Sequence, residues 1–180
     1  MKYTQIPTDT FEKLQFNAGV LCTGFTPSSG DITGLIGATT GGINFTDVPS
    51  YSDMGEDIDN CPKNTKELKR IESREVKMAG TFVSLDSASA KMIIGATTSE
   101  STKIVPSDDL KSTDFSDIWW VGDYGEDDGF MAVHMMNALS TAGFSIQTTD
   151  KNKGTFAFEF TGHYSISAQD TVPYELYIKE

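Results

Sequence analysis

Apolar residues along this chain recur mainly at every second position, in short runs broken by Gly, Pro, Asn and Asp, the pattern of strands with one buried face. The cleanest run is 155–164. Phe156, Phe158, Phe160, Gly162 and Tyr164 fall on one side, and Thr155, Glu159, Thr161 and His163 on the other, so one face meets a core and the other meets water. Before it, Met131, Val133, Met135 and Leu139 share a register and Phe144 with Ile146 makes a short second run. Asp150 to Gly154 then supplies a turn at hairpin spacing. Ile118-Trp119-Trp120-Val121 reads as a compact aromatic strand, and Val172 to Ile178 as a closing one.

The first half is less regular. Leu14 to Thr23 places Phe16, Ala18 and Val20 on one alternating face, and Pro27-Ser28-Ser29-Gly30 ends it. Ile32 to Phe45 carries Gly34, Gly37, Gly41 and Gly42 between Ile, Leu and Thr, which suits a strand pair with tight or bulged turns. Residues 46–64 read as a long exposed loop, because Pro49, Gly55 and Pro62 interrupt any period, and loops of this length are functional or mobile. Alternation from Arg74 to Leu85 predicts a strand, although 65–75 has a helical composition. Asp86 is a good N-cap, Ser87 to Ile94 supplies two turns, and Gly95 follows where a left-handed residue is wanted. Residues 97–117 read as loop or short strands.

Charge sharpens this picture. Asp47, Asp53, Glu56, Asp57 and Asp59 crowd the loop, and directly after it Lys63, Lys66, Lys69, Arg70, Arg74 and Lys77 face only Glu67, Glu72 and Glu75. An acidic segment beside a basic one suits a head-to-tail contact between identical subunits, with the signs fixing register. The whole chain carries a formal net charge of −12, which disfavours stable binding to a phosphate backbone and leaves transient passage of nucleic acid past an acidic wall open. With 180 residues, 38% of them hydrophobic and eleven of them Phe, one domain with a real core is expected. Cys22 and Cys61 lie far apart without flanking histidines, as free thiols do. No stretch has the length of a secretory signal or a membrane span, which points to folding in a cytoplasm without membrane insertion.

No catalytic signature emerges. Only His134 and His163 exist to carry a proton, and no strained Gly-x-Ser-x-Gly turn presents a nucleophile. Asp123, Glu126, Asp127 and Asp128, or Glu56, Asp57 and Asp59, bring oxygens together as a calcium site needs, but neither run has the spacing of a calcium loop. Solvated acidic loops are the simpler reading. A glycosidase carboxylate pair has no mark that sequence alone reveals. Alternation sends Trp119 and Trp120 to opposite faces, so at most one is free to stack on a sugar. The expectation is therefore a chain without catalytic residues, cofactor or metal.

The segment Gly37 to Phe45, the acidic stretch Tyr51 to Asp59, the strand Arg74 to Leu85 leading into the helix near Ala88 to Ile94, and the terminal hairpins resemble the major tail tube proteins of long-tailed bacteriophages and prophages. The resemblance covers most of the chain. It implies a mainly β fold, a β-sandwich or barrel-like tail tube domain spanning 1–180 with one short helix and an assembly loop at about 46–72. It further implies six copies per ring, and rings stacked into a tube whose inner wall is a shared β-barrel through which genome DNA passes. Tape measure, tail terminator and tip proteins are the implied partners, the virion tail the implied location, and host cytoplasm the place of assembly. On this reading Asp53, Glu56, Asp57 and Asp59 reach a neighbouring ring, Lys66, Lys69, Arg70 and Arg74 are their counter-charges, and Glu159, Thr161 and His163 are candidates for the lumen wall. Contractile-tail and type VI secretion tube subunits share the fold. A carbohydrate- or receptor-binding β-sandwich is the alternative from another class, and a two-carboxylate enzyme the third.

Overall fold

The computed structural model describes residues 5–125 and 128–180. Its strands are β1 (Val20–Thr26), β2 (Asp31–Leu35), β3 (Thr39–Asp53), β4 (Lys69–Phe82), β5 (Thr97–Glu100), β6 (Lys103–Pro106), β7 (Ser116–Asp123), β8 (Phe130–Ser140), β9 (Ser145–Gln147), β10 (Thr155–Gly162) and β11 (Tyr174–Lys179). Among the described residues there is one α-helix, α1 (Ser87–Ile94). The protein is mainly β and sandwich-like. Nine strands form one sheet in the order β2-β1-β7-β8-β10-β4-β3, with β11 added to β8 and β9 to β10, while β5 and β6 make a separate hairpin.

Every pairing within the large sheet is antiparallel. The sheet divides at β10: one edge of β8 pairs first with β11 along 130–135 and then with β10 along 138–140. The β1-β7-β8 part and the β10-β4-β3 part share one core, in which Leu21, Ile118, Val133 and Met135 meet Val76, Met78, Phe82, Phe158 and Phe160, with Ile93 of α1 closing one end. The alternation read in 155–162 is the actual one, since Phe158 and Phe160 are buried on the same side, their rings tilted against each other with centroids 5.3 Å apart. A smaller cluster of Cys22, Phe25, Trp119, Val121 and Ala132 lies apart from this core.

The helix starts where expected: the Asp86 carboxylate accepts the Ser89 N–H at 2.7 Å, and Ser89 Oγ donates to the Ile36 carbonyl, tying the helix to the β2–β3 connection. Three expectations need correction. The first strand begins at Val20, because Gly19 takes φ +69° and the Asn17 carboxamide binds the Gly19 and Asp123 amides, leaving Phe16 half-exposed. The alternation in β8 fails after Met135. Asn137 takes φ +48° at an irregularity in the β7–β8 register, so Ala138 takes the buried position and Leu139 does not. Such an extra residue reverses the inward face.

The third correction concerns the long loop. Residues 46–53 continue β3 and 69–72 begin β4, so of the loop expected at about 46–72 only 54–68 connects strands, and its two ends are the distal part of a β3–β4 hairpin. The hairpin extends past Gly162↔Val76, where β10 stops pairing with β4. We call this distal part the arm. Pro49 concealed it, and β3 tolerates Pro49 because it is an edge strand. Opposite it, Arg74 directs its N–H away from β3, to the Tyr164 hydroxyl at 3.2 Å. The pair is therefore not mutually hydrogen-bonded, and the donor that proline lacks falls on the free side of β3.

Candidate assembly surface

The arm is built by register. Its pairs run Asp47↔Val76, Val48↔Glu75, Pro49↔Arg74, Ser50↔Ser73, then, after an irregularity, Tyr51↔Ile71, Ser52↔Arg70 and Asp53↔Lys69. Because β3 alternates, Phe45, Asp47, Pro49 and Tyr51 share a face that starts in the core and leaves it. At its base the Asp47 carboxylate accepts from Arg74 Nη1 and from the Tyr174 hydroxyl, the latter at 3.0 Å, and Tyr174 packs on Phe45. Burial, then the bond to Asp47, raises the Tyr174 hydroxyl above its ordinary pKa. Farther out this face is only half covered within the chain: Tyr51 is 54% and Ile71 49% exposed, Met54 and Ile58 are exposed at the tip, and Val48 is exposed on the reverse face.

The tip is an ordered turn. The Asp53 carboxylate accepts the backbone N–H of Asn64 at 2.8 Å and of Gly55 at 2.9 Å, and these two bonds hold it below the usual carboxylate range. Met54 N–H donates to the Leu68 carbonyl, and the buried Gly55 leaves no room for a Cβ against Cys61 Sγ and Leu68 Cδ1, each 2.9 Å from where it would sit.

The sequence-predicted residues therefore divide. Glu56, Asp57 and Asp59 are exposed at the tip, and Lys66 is exposed beside Glu67 at 3.4 Å. Lys69 reaches Asn64 Oδ1 at 2.9 Å and lies 5.5 Å from the centre of the Tyr51 ring. Arg70 is exposed opposite Ser52. Asp53 and Arg74 serve the arm itself, as a clamp on the tip and as the partner of Asp47. Tyr51, Ile71, Asp47 and Tyr174 were missed; the odd-numbered period from Ile43 to Tyr51 was the available signal.

On the opposite face of β10-β4-β3 the rows are Ala157–Thr81–Thr40, Glu159–Ala79–Asn44 and Thr161–Lys77–Thr46. Glu159 and Thr161 thus share a surface of small or polar side chains. Its one cation, Lys77, lies 2.8 Å from Glu75 and 3.7 Å from Glu159. His163 lies past the end of β10, where Nδ1–H donates to the Asn137 carbonyl at 3.2 Å and the ring packs edge-on against Phe115.

Neither indole offers a sugar platform. Trp119 is 8% exposed, and Trp120 packs on the main core while its N–H donates to the Ala18 carbonyl at 2.9 Å. Among the described residues no group of three His, Cys, Asp or Glu is placed to hold a metal. Of the acidic turn, Glu126 and Asp127 lie outside the described residues, and Asp123 accepts from the Asn17 carboxamide. No described helix is long and apolar enough to cross a membrane. No protein-family model matches the chain, and no curated protein matches it in sequence.

Proposed function

We infer that this chain is a structural subunit that assembles with its own copies into stacked rings, forming a tube of the phage-tail type that conducts DNA without binding it tightly. The observation that carries the reading is the arm. A two-stranded ribbon is at best marginally stable alone in water, yet this one extends past the body with Tyr51, Ile71, Val48, Met54 and Ile58 each about half exposed and with the far side of β3 unpaired. Such a feature gains its stability from a neighbour. A second copy is the economical partner, because an arm on one part of the molecule docking on a different part of the next gives a contact that propagates.

The small, polar face carrying Glu159 and Thr161 supports the same reading. It offers no aromatic ring for a base to stack on and no unpaired lysine for a phosphate, so nucleic acid sliding past would find little to hold it. The chain's −12 charge acts in the same direction. Electron microscopy and sedimentation velocity of the purified chain over a wide concentration range test this reading. Rings or hollow filaments are expected; a monomer at every concentration and salt would refute it.

A further inference from the structure

We propose that the arm is a lever whose direction is set by two tyrosine hydroxyls, those of Tyr164 and Tyr174, and that without them it swings as an intact unit. Such a lever belongs to the single chain, whether or not copies assemble. Among the described residues, only two hydrogen bonds reach from residues 47–75 to anything outside β3, β4 and the turn between them, and each ends on one of these hydroxyls. Where β10 ends, a side chain continues its ladder. Val76 and Gly162 are the last pair of β4 and β10, and the next amide of β4 on that side is Arg74, two residues farther out. In place of a strand it meets the Tyr164 hydroxyl at 3.2 Å. On β3 the Asp47 carboxylate accepts from the Tyr174 hydroxyl at 3.0 Å, and the Arg74 guanidinium binds the same oxygen, so one residue of β4 joins both contacts.

Both tyrosines are mounted on the body. Beside Tyr164, the Asn137 carboxamide donates to the His163 carbonyl at 3.2 Å. Beside Tyr174, the Pro173 carbonyl accepts the Met136 N–H at 2.9 Å, and Tyr174 itself pairs with Met135 and packs on Phe45 with ring centroids 5.1 Å apart. Past this root the arm and the body part: an open cleft is lined by Ile71, Glu72 and Ser73 on one side and by Gln169, Asp170 and Val172 on the other. A ribbon with an ordered tip, fastened at one end only, is a rigid body on a hinge. From Asp47 to Asp53 it runs about 20 Å at about 3.3 Å per residue, so a swing of about 15° carries its tip through about 5 Å.

Phenylalanine at both positions keeps the rings and removes only the hydroxyls. In the full chain with Cys61→Ser, spin labels at Asp57→Cys on the tip and Ala157→Cys on β10, both exposed, report the tip-to-body distance by electron paramagnetic resonance, while the fully buried Cys22 stays unlabelled. The measurement is made at a dilution where sedimentation finds single chains. The native chain should give one narrow distribution, and Tyr164→Phe with Tyr174→Phe should broaden it by about 5 Å, the displacement of the tip over the length of the ribbon. Exchange of the Arg74 amide should quicken by about two- to tenfold in Tyr164→Phe alone, the size of one hydrogen bond. The amides of Val48 and Glu75, which face each other across the ribbon, should keep their protection. An unchanged distribution in the double variant overturns the proposal, and so does a broad one in the native chain. Loss of protection at Val48 and Glu75 overturns it as well, because the hydroxyls would then hold the ribbon together instead of aiming it.

Discussion

Replacing Tyr51 and Ile71 together by threonine separates what the arm does for its own chain from what it does for a neighbour. The two side chains face each other across β3 and β4, and threonine preserves the strand preference of both positions. Tyr51 is 54% and Ile71 49% exposed, so a second copy can cover only about half of each. Full burial of a large apolar side chain contributes about 1.5–3 kcal/mol, which leaves about 1 kcal/mol per residue for the contact. The pair then contributes about 2 kcal/mol per arm, equivalent to a dissociation constant about 30-fold weaker in the variant. Within the monomer the exposed cross-strand pair and the exposed contact of Lys69 with the Tyr51 ring are lost, changes of about 0.2–1 kcal/mol each. Sedimentation across a dilution series reads the concentration at which assemblies appear, and urea unfolding of the dilute monomer reads the fold. A rise of about 30-fold in the first with little movement in the second is expected. If assembly begins at the same concentration in both proteins, this face of the arm is not an interface and the reasoning fails.

Three further outcomes follow from the fold. Phe160 is 1% exposed between the two parts of the sheet, so Phe160→Ala should cost about 3–5 kcal/mol in urea unfolding; a cost below 1 kcal/mol would mean that the core is loosely packed. Gly19→Ala would place a Cβ 2.4 Å from Trp120 Nε1 at φ +69°, and should destabilise by at least about 2 kcal/mol with altered tryptophan fluorescence, whereas a silent substitution would contradict this backbone. The Asp53 carboxyl is depressed by the Asn64 and Gly55 amides, so its clamp is fully present above the unfolded carboxylate range near about pH 4 and is lost as pH falls through the lower folded value. Amide exchange at Gly55 and Asn64 should accelerate at low pH in the native chain but not in Asp53→Asn, and identical profiles would remove the clamp.

Local chemistry was legible where it acts locally. Asp86 named the start of the helix because an N-cap needs only its own turn, and Phe156, Phe158 and Phe160 named the inward side of their strand because one face of it is covered. The arm was obscured for the opposite reason. An exposed ribbon has no strong contrast between its faces, and Pro49, Gly55 and the acidic residues look like loop chemistry unless the edge position of β3 is known. Registers across distant strands were not readable either. Nothing near His134 in sequence announces Glu175, and the pairing of Asp47 with Arg74 and Tyr174 depends on where three strands come together. The free and engaged charges of the candidate assembly surface could be separated only after those pairings were placed.

Pro49 has a consequence at high concentration, where many copies of the chain meet. The outer border of β3 is long enough to act as a zip for any passing strand, and such borders are where fibres begin. With a missing tooth near its distal end, that zip cannot close as one continuous ladder. Indiscriminate strand-on-strand growth therefore stalls at the proline, and in the proposed assembly joining falls to the side chains of the ribbon's faces, which recognise shape, instead of to its rim, which would accept almost any polypeptide.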